Sequence, residues 1–383
     1  GVQTCALPIF SVYIKKSPFK STDNVSLLLK YCKGDTNFLE NLPGLPLLVT
    51  QDNQLRAFST TDPKFLSRHH SILPQCRELF VHERLRIHIF GDVKSQESSV
   101  FRRFGVQDFA TNLNRCLPSE FFTGDDYVRW CPTQESVPSK RWVQGVWNFL
   151  YEETNYVLKK MEQTERERST SAKHEGEIKR IQRILQPLSK WSILPCIETR
   201  QMTSRRGSIV ETPEHCLVPL SLAQSVLDFT CYDENSKPLV EALRRLNLAE
   251  VNYTILRPDS CSLARKLVTS LKTPESLLKC FEQKLKKTPN AFEGKLKSSE
   301  CRTILKCFSD SVNRLEERDK TVLKGLPFYQ ATHGKLTSVG SAEVCVLPID
   351  IPRKEMDTLG LRRKVTFLEA SRSLAPLFQF LEF

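Results

Sequence analysis

Seven histidines and 13 cysteines are the side chains of this 383-residue chain best suited to nucleophilic, metal or redox chemistry. Their spacing speaks against each use. His69 and His70 are adjacent, and neighbours on a strand or helix point apart, so one metal ion does not take both. No H-E-x-x-H pattern links His69, His70, His82, His88, His174, His215 or His333. No two cysteines form a C-x-x-C pair, and the closest, Cys301 and Cys307, are further apart than zinc ligand pairs are. Cys280 in LLKCF and Cys307 in ILKCF sit among apolar neighbours, as small buried hydrophobes do. An odd count without framework spacing fits free thiols in a reducing compartment, and the cytoplasm is the expected location.

Phosphate and acyl chemistry leave no clearer trace. There is no G-x-x-x-x-G-K-[ST], no G-x-G-x-x-G and no G-x-S-x-G, and glycine totals only 14. Asp125 and Asp126 follow Gly124 and read as a turn rather than a metal site. Arg205-Arg206-Gly207-Ser208 has the form of a basic-directed kinase site in an exposed turn, which makes Ser208 a candidate phosphosite. The expectation is a chain that is not an enzyme, with no catalytic residue, no cofactor and no metal.

What the residues do spell is a phrase written twice. GLPLLVTQDNQLRAF runs from Gly44 to Phe58, and GLPFYQATHGKLTSV from Gly325 to Val339. They align without a gap, so that Asp52-Asn53 falls opposite His333-Gly334 and Leu55 opposite Leu336. Each is an apolar run, a two-residue turn signal tolerant of positive φ, and a second run, which predicts a β-hairpin. Pro46 and Pro327 suit a strand start or an edge. A lone hairpin is marginal in water, so each must lean on something larger. WSILPCIETRQMTSRRGSIV, with Gly207 as its turn residue, is a weaker third copy.

Between the copies the chain turns helical. SLLLKYC precedes the first hairpin as a short helix, and the alternation in RIHIF reads as a strand. Trp142, Val146, Trp147, Leu150 and Tyr151 recur on one helical face, a core stripe rather than a cofactor box. Apolar content collapses in KKMEQTERERSTSAKHEGE, a solvated stretch and a boundary. Ile178, Ile181, Leu185 and Leu188 restart a helix that Pro187 ends. PLVEALRRLNL, CSLARKLVTSL, PESLLKCFEQKLKK and SSECRTILKCFSDSVNRLEER each carry an apolar stripe, with Ser236, Thr273 and Ser298 or Ser299 as N-caps. The fold class is therefore α+β, with β-hairpins or small sheets alternating with helical segments in a modular, repeat-type architecture. Its expected parts are an α/β segment over 10–165 with its hairpin at 44–58, a mainly helical segment over 166–324, and a second hairpin opening a truncated unit over 325–383.

Composition supports real cores: 40% of residues are hydrophobic and 26% charged. No run of 18 apolar residues offers a membrane span. The formal charge of +12 is scattered and lacks an aromatic-rich basic motif, so nucleic acid is not an expected partner. Residues 1–9, GVQTCALPI, match the translation of a constant sequencing-adapter oligonucleotide and are expected to be foreign. The apolar end LAPLFQFLEF suggests a fragment.

The repeated phrase, preceded by LLLKYC and followed by PKFLS, ILP and ELF, resembles the repeating regions of the sacsin family. LVPLSLAQSVLDFTCYDENSKPLVEALRRL is similar too, and the resemblance extends from about Phe10 to Phe383. It implies a very large cytosolic chaperone-like protein of long repeats, each opening with an ATPase-like domain of the ninety-kilodalton heat-shock type. It also implies partners: the seventy-kilodalton heat-shock machinery, client proteins and cytoskeletal filaments, with an association with mitochondria. The D-x-G-x-G loop of the ATPase-like domain and the His-Pro-Asp of a J domain do not occur here, so no catalytic residue carries over. The resemblance thus implies a non-catalytic co-chaperone scaffold segment supporting folding and quality control. The alternatives are a middle segment assisting a distant ATPase domain and a purely architectural spacer.

Overall fold

The computed structural model describes residues 22–34, 37–91, 98–122, 124, 126–168, 176–203, 209–230, 234–270, 274–331, 334–340, 344–346, 366–368 and 371–382. The adapter-like residues 1–9 and Ser208 lie outside them. The chain is α+β and folds as two compact units, one from residues 1–122 and 133–189, the other from 123–132 and 190–383. This division does not coincide with segment boundaries at 165/166 and 324/325. Residues 123–132 join the second unit because β5 (Val128–Arg129) pairs with β7 (Ile209–Pro219).

In the first unit, α1 (Thr22–Cys32) buries Val25, Leu29 and Cys32, a three- and four-residue spacing that gives the helix one apolar face. That face shares a core with the hairpin β1 (Leu48–Val49) and β2 (Leu55–Arg56) and with α2 (Glu83–His88). β3 (Lys64–Phe65) runs parallel to β4 (Phe101–Arg102). α3 (Val106–Asn112), α4 (Lys140–Arg168) and α5 (Glu177–Leu185) complete the unit. The Trp142 to Leu150 stripe is core: Trp147, Phe149 and Leu150 are buried, and Trp142 Nε1 donates to the Ile72 carbonyl at 2.9 Å. Rings interlock around it, with Phe104 5.0 Å from each of Phe65, Phe80 and Phe149. Each such pair adds about 0.5–1.5 kcal/mol beyond area burial.

RIHIF is not a strand. The His82 side chain accepts the Arg84 N–H at 3.3 Å and caps a helix over Glu83–His88. Leu85 and Ile89 are buried while Ile87 is exposed, so a four-residue helical step satisfies the same residues that mimic alternation.

The second unit holds a six-stranded mixed sheet in the order β10-β8-β9-β6-β7-β5. β6 (Ser192–Thr203) and β7 form a long antiparallel ladder, so the third phrase is a hairpin, but one set inside a large sheet. Its proposed turn residue Gly207 is outside the described residues. β8 (Leu227–Asp228), β9 (Glu250–Val251) and β10 (Thr269–Ser270) are parallel neighbours joined through α6 (Lys237–Arg245) and α7 (Pro258–Leu267). α8 (Pro274–Lys287), α9 (Ser298–Ser309) and α10 (Glu317–Gly325) pack around Phe281, Phe292, Phe308 and Phe328. Ser298 does not cap α9. The N-cap residue is Lys297, whose N–H donates to Glu300 Oε2 at 2.9 Å, so an acid in the first turn satisfies a backbone donor at this end. β11 (Tyr329–Gln330), β12 (Leu336–Thr337), β13 (Val344–Val346), β14 (Thr366–Leu368) and α11 (Ala375–Phe380) close the chain.

The two hairpins share their strand register and their turn bonds. Leu48 pairs with Arg56 and Val49 with Leu55; at the aligned positions Tyr329 pairs with Thr337 and Gln330 with Leu336. Thr50 N–H donates to the Gln54 carbonyl and Asn53 N–H to the Thr50 carbonyl; Ala331 and Gly334 repeat both bonds with Lys335 and Ala331. These bonds close a three-residue loop, one longer than the turn signal suggested, ending on a positive-φ residue as the bulged hairpin loop requires. Beyond the turns the likeness continues: Thr50 bridges Val81 and Ala331 bridges Leu368, both antiparallel, and a parallel strand pair follows in each copy. Leu47 and Phe328, aligned in the phrase, are both buried, each against the helices of its own unit.

Candidate functional site

Each unit has a polar pocket. In the first, α4 contributes Phe149, Glu152 and Glu153, the segment after β3 contributes Arg68 and His69, and α2 contributes Arg86. With Arg103 and Phe104 they line about 320 Å³. Glu152 accepts from Arg68 Nη2 at 2.5 Å, His69 Nε2 at 3.0 Å and Asn148 Nδ2 at 2.9 Å. Burial works to raise its carboxyl, but the Arg68 hydrogen bond and the nearby charges outweigh that and hold it below its ordinary value. Glu153, whose side chain is 9% exposed, takes Arg103 Nη2 at 2.5 Å and Nε at 3.2 Å. Burial raises its carboxyl, and Arg103 offsets this only in part. The Arg103 guanidinium also lies 3.0 Å over the Tyr156 ring.

His69 is where the pair of histidines separates. Its ring meets Phe149 edge-on at 5.2 Å and lines the pocket, while His70 does not. Burial lowers both imidazoles, against the pull of Glu152 on His69 and of Glu83 on His70. Among the described residues no group of three or more His, Cys, Asp and Glu side chains is placed to hold a metal.

The second unit's pocket, about 350 Å³, lies over β7 and α8. Lys284 pairs with Glu198 and donates to the Asn247 carbonyl at 2.9 Å. Lys287 Nζ lies 2.6 Å from Asp126 Oδ1 and 3.6 Å over the Tyr127 ring. Asp126 is thus an ion-pair partner two residues after the positive-φ Gly124, while Asp125 is outside the described residues. Burial raises the Asp126 carboxyl, and the Lys287 hydrogen bond reverses this and lowers it. His215 Nδ1 is 3.2 Å from Asn252 Nδ2. Burial pushes the neighbouring Cys216 thiol up to about 12, which favours its protonated form.

In both pockets, then, most of the charged side chains are paired with one another. Such pairs fix the orientation of the side chains that line each pocket. Sequence reasoning missed Glu152, Glu153, Arg86, Arg103, Lys284 and Lys287. Glu153 did leave a signal: it falls four residues after the buried Phe149, on the apolar stripe, where a carboxylate requires a partner.

No family model matches the chain, and no solved structure matches it. Human sacsin matches, with 25% identity over 372 residues, 96% of this chain. This chain is related to a region of sacsin. It spans 8% of sacsin's length. No helix among the described residues is long and apolar enough to cross a membrane.

Proposed function

We propose that this chain is a non-catalytic segment of a giant chaperone-like scaffold, binding client or partner proteins by surface burial in support of folding and quality control. The observation that carries the reading is the paired brace: one hairpin, with the same register and the same turn bonds, supports a helical core in each unit. Modules that reuse one brace present surfaces at intervals along a chain, as repeat proteins do. The relation to sacsin over 96% of the chain supports the same reading. By that relation the partners are the seventy-kilodalton heat-shock machinery, clients and cytoskeletal filaments, in the cytoplasm and near mitochondria. The thiols of Cys76, Cys216, Cys280 and Cys301, each pushed by burial to about 12, suit structural rather than reactive roles.

The test uses the whole chain with a chemically denatured client and, separately, with a purified seventy-kilodalton heat-shock chaperone. Retention of either on the immobilised chain, with slowed client aggregation, is the expected result. Recovery of neither overturns the reading in favour of a spacer. ATP binding by the isolated chain, read by calorimetry, overturns it in favour of a segment that assists an ATPase domain.

A further inference from the structure

The pocket of the first unit is lined by more guanidinium groups than carboxylates. Three guanidinium groups line it, Arg68, Arg86 and Arg103, against two carboxylates. Arg68 is engaged by Glu152 and Arg103 by Glu153. Arg86 is not satisfied in this way. Its ion pair, to Glu83, is 3.4 Å long, and its Nε is buried with no hydrogen-bond partner. A buried, unmet donor on a charged group is costly, and a native structure keeps one where something else completes it.

We propose that this pocket binds an oxyanion group, carboxylate or phosphoryl, carried on an acidic segment of a partner protein, with the Arg86 guanidinium as its anchor. The inference rests on the partner-binding reading and names the chemistry of the partner. A guanidinium presents paired donors that match the two oxygens of a carboxylate or phosphate, which a single Glu83 contact at 3.4 Å leaves free. Phe104 and Phe149, 5.0 Å apart, form an apolar wall to the pocket. Next to such a wall the local dielectric falls, so an ion pair is stronger than at an open surface. The side chain of Arg68 is 62% exposed at the mouth and carries positive potential outward. At about 320 Å³ the space takes one acidic or phosphorylated side chain with its backbone, not a folded domain. The formal charge of +12 on the whole chain draws acidic segments toward it.

The experiment is fluorescence anisotropy on the full chain with labelled peptides: a glutamate-rich peptide, a phosphoserine peptide, and the same sequence with serine and neutral residues. Binding of either anionic peptide, but not the neutral one, is expected, and which of the two binds identifies the source of the oxyanion. Arg86→Gln should weaken it roughly tenfold or more. Arg84→Gln, an exposed arginine of the same helix that does not line the pocket, should change it less than about twofold. Free acetate or inorganic phosphate should compete on the unmutated protein, a readout independent of whether Arg86→Gln folds. Equal losses in the two variants, no competition, or no binding of either anionic peptide overturns the proposal. Denatured-client retention measured on the same preparation separates the outcomes: a chain that holds client yet ignores both anionic peptides has lost this pocket's assignment but not its proposed role.

Discussion

Asn53 and Gly334 occupy one turn position in two hairpins, at φ 60° and 86°. Both sit in the left-handed region, which costs an ordinary residue about 1–2 kcal/mol. Asn is one of the few non-glycine residues that tolerate it, and Gly pays nothing. A Cβ at Gly334 would meet nothing within 4 Å, so the cost of replacing it is conformational, not steric.

Asn53→Gly should therefore leave stability almost unchanged, while Asn53→Val and Gly334→Val should each lose about 1–2 kcal/mol. Urea unfolding with a common m-value checks this. The equivalence of the two turns requires the two valine variants to lose similar amounts. A loss confined to one of them would mean that only one hairpin braces its core.

The phrase that announced these hairpins was legible because it recurs; much of the rest was not. β8, β9 and β10 are two residues each, too short for any alternation to show, so the parallel part of the six-stranded sheet was hidden within what reads as helix and loop. The Trp142–Leu150 stripe was readable because a helix of 29 residues repeats its period many times. RIHIF deceived because Leu85, Ile89 and Phe90 fit two periods over so short a span. The pockets were invisible for another reason. Their ion pairs join residues such as Arg103 and Glu153, or Lys287 and Asp126, that are far apart in the chain, and charge spacing along a sequence carries no record of such closures.

Arg103→Ala should destabilise the first unit more than surface substitutions do. It leaves the Glu153 carboxylate, 9% exposed, without its partner. Breaking a fully buried pair costs about 3–5 kcal/mol; with Arg103 itself 35% exposed, about 2 kcal/mol is expected. Arg103→Ala combined with Glu153→Gln should recover part of this, measured by a double-mutant cycle. The pH dependence has a defined sign. Burial holds the folded Glu153 above its ordinary 4.5, so its contribution is fully present below that value and fades as pH rises through the folded one. Glu153→Gln should remove this slope.

Mild acid should act in the opposite direction through His69. Burial lowers its imidazole below 6.5, with Arg68 and Arg86 adding to the effect and Glu152 opposing it. A histidine lowered on folding contributes stability that is present above 6.5 and lost as pH falls through the folded value. His70 and His82 are lowered by burial in the same sense. The melting temperature should therefore drop as pH is taken from 7.5 toward about 5.5, and His69→Asn should flatten part of that drop. An unchanged slope in the variant would show that His69 is not a buried neutral ring.

Thiol reactivity separates packing from chemistry. Cys76, Cys216, Cys280 and Cys301 are buried, and burial pushes each to about 12. The nucleophile is the thiolate, so at pH 7.5 these four should react with iodoacetamide far more slowly than an ordinary cysteine of pKa about 8.5. Cys131 is exposed and should be modified first among the described cysteines. Peptide mapping after timed alkylation, with and without urea, reads each site. In urea all five should react at similar rates, because the protection belongs to the fold. Rapid labelling of Cys216 in the folded chain would place an activated thiol beside His215 and reopen the second pocket to nucleophilic chemistry.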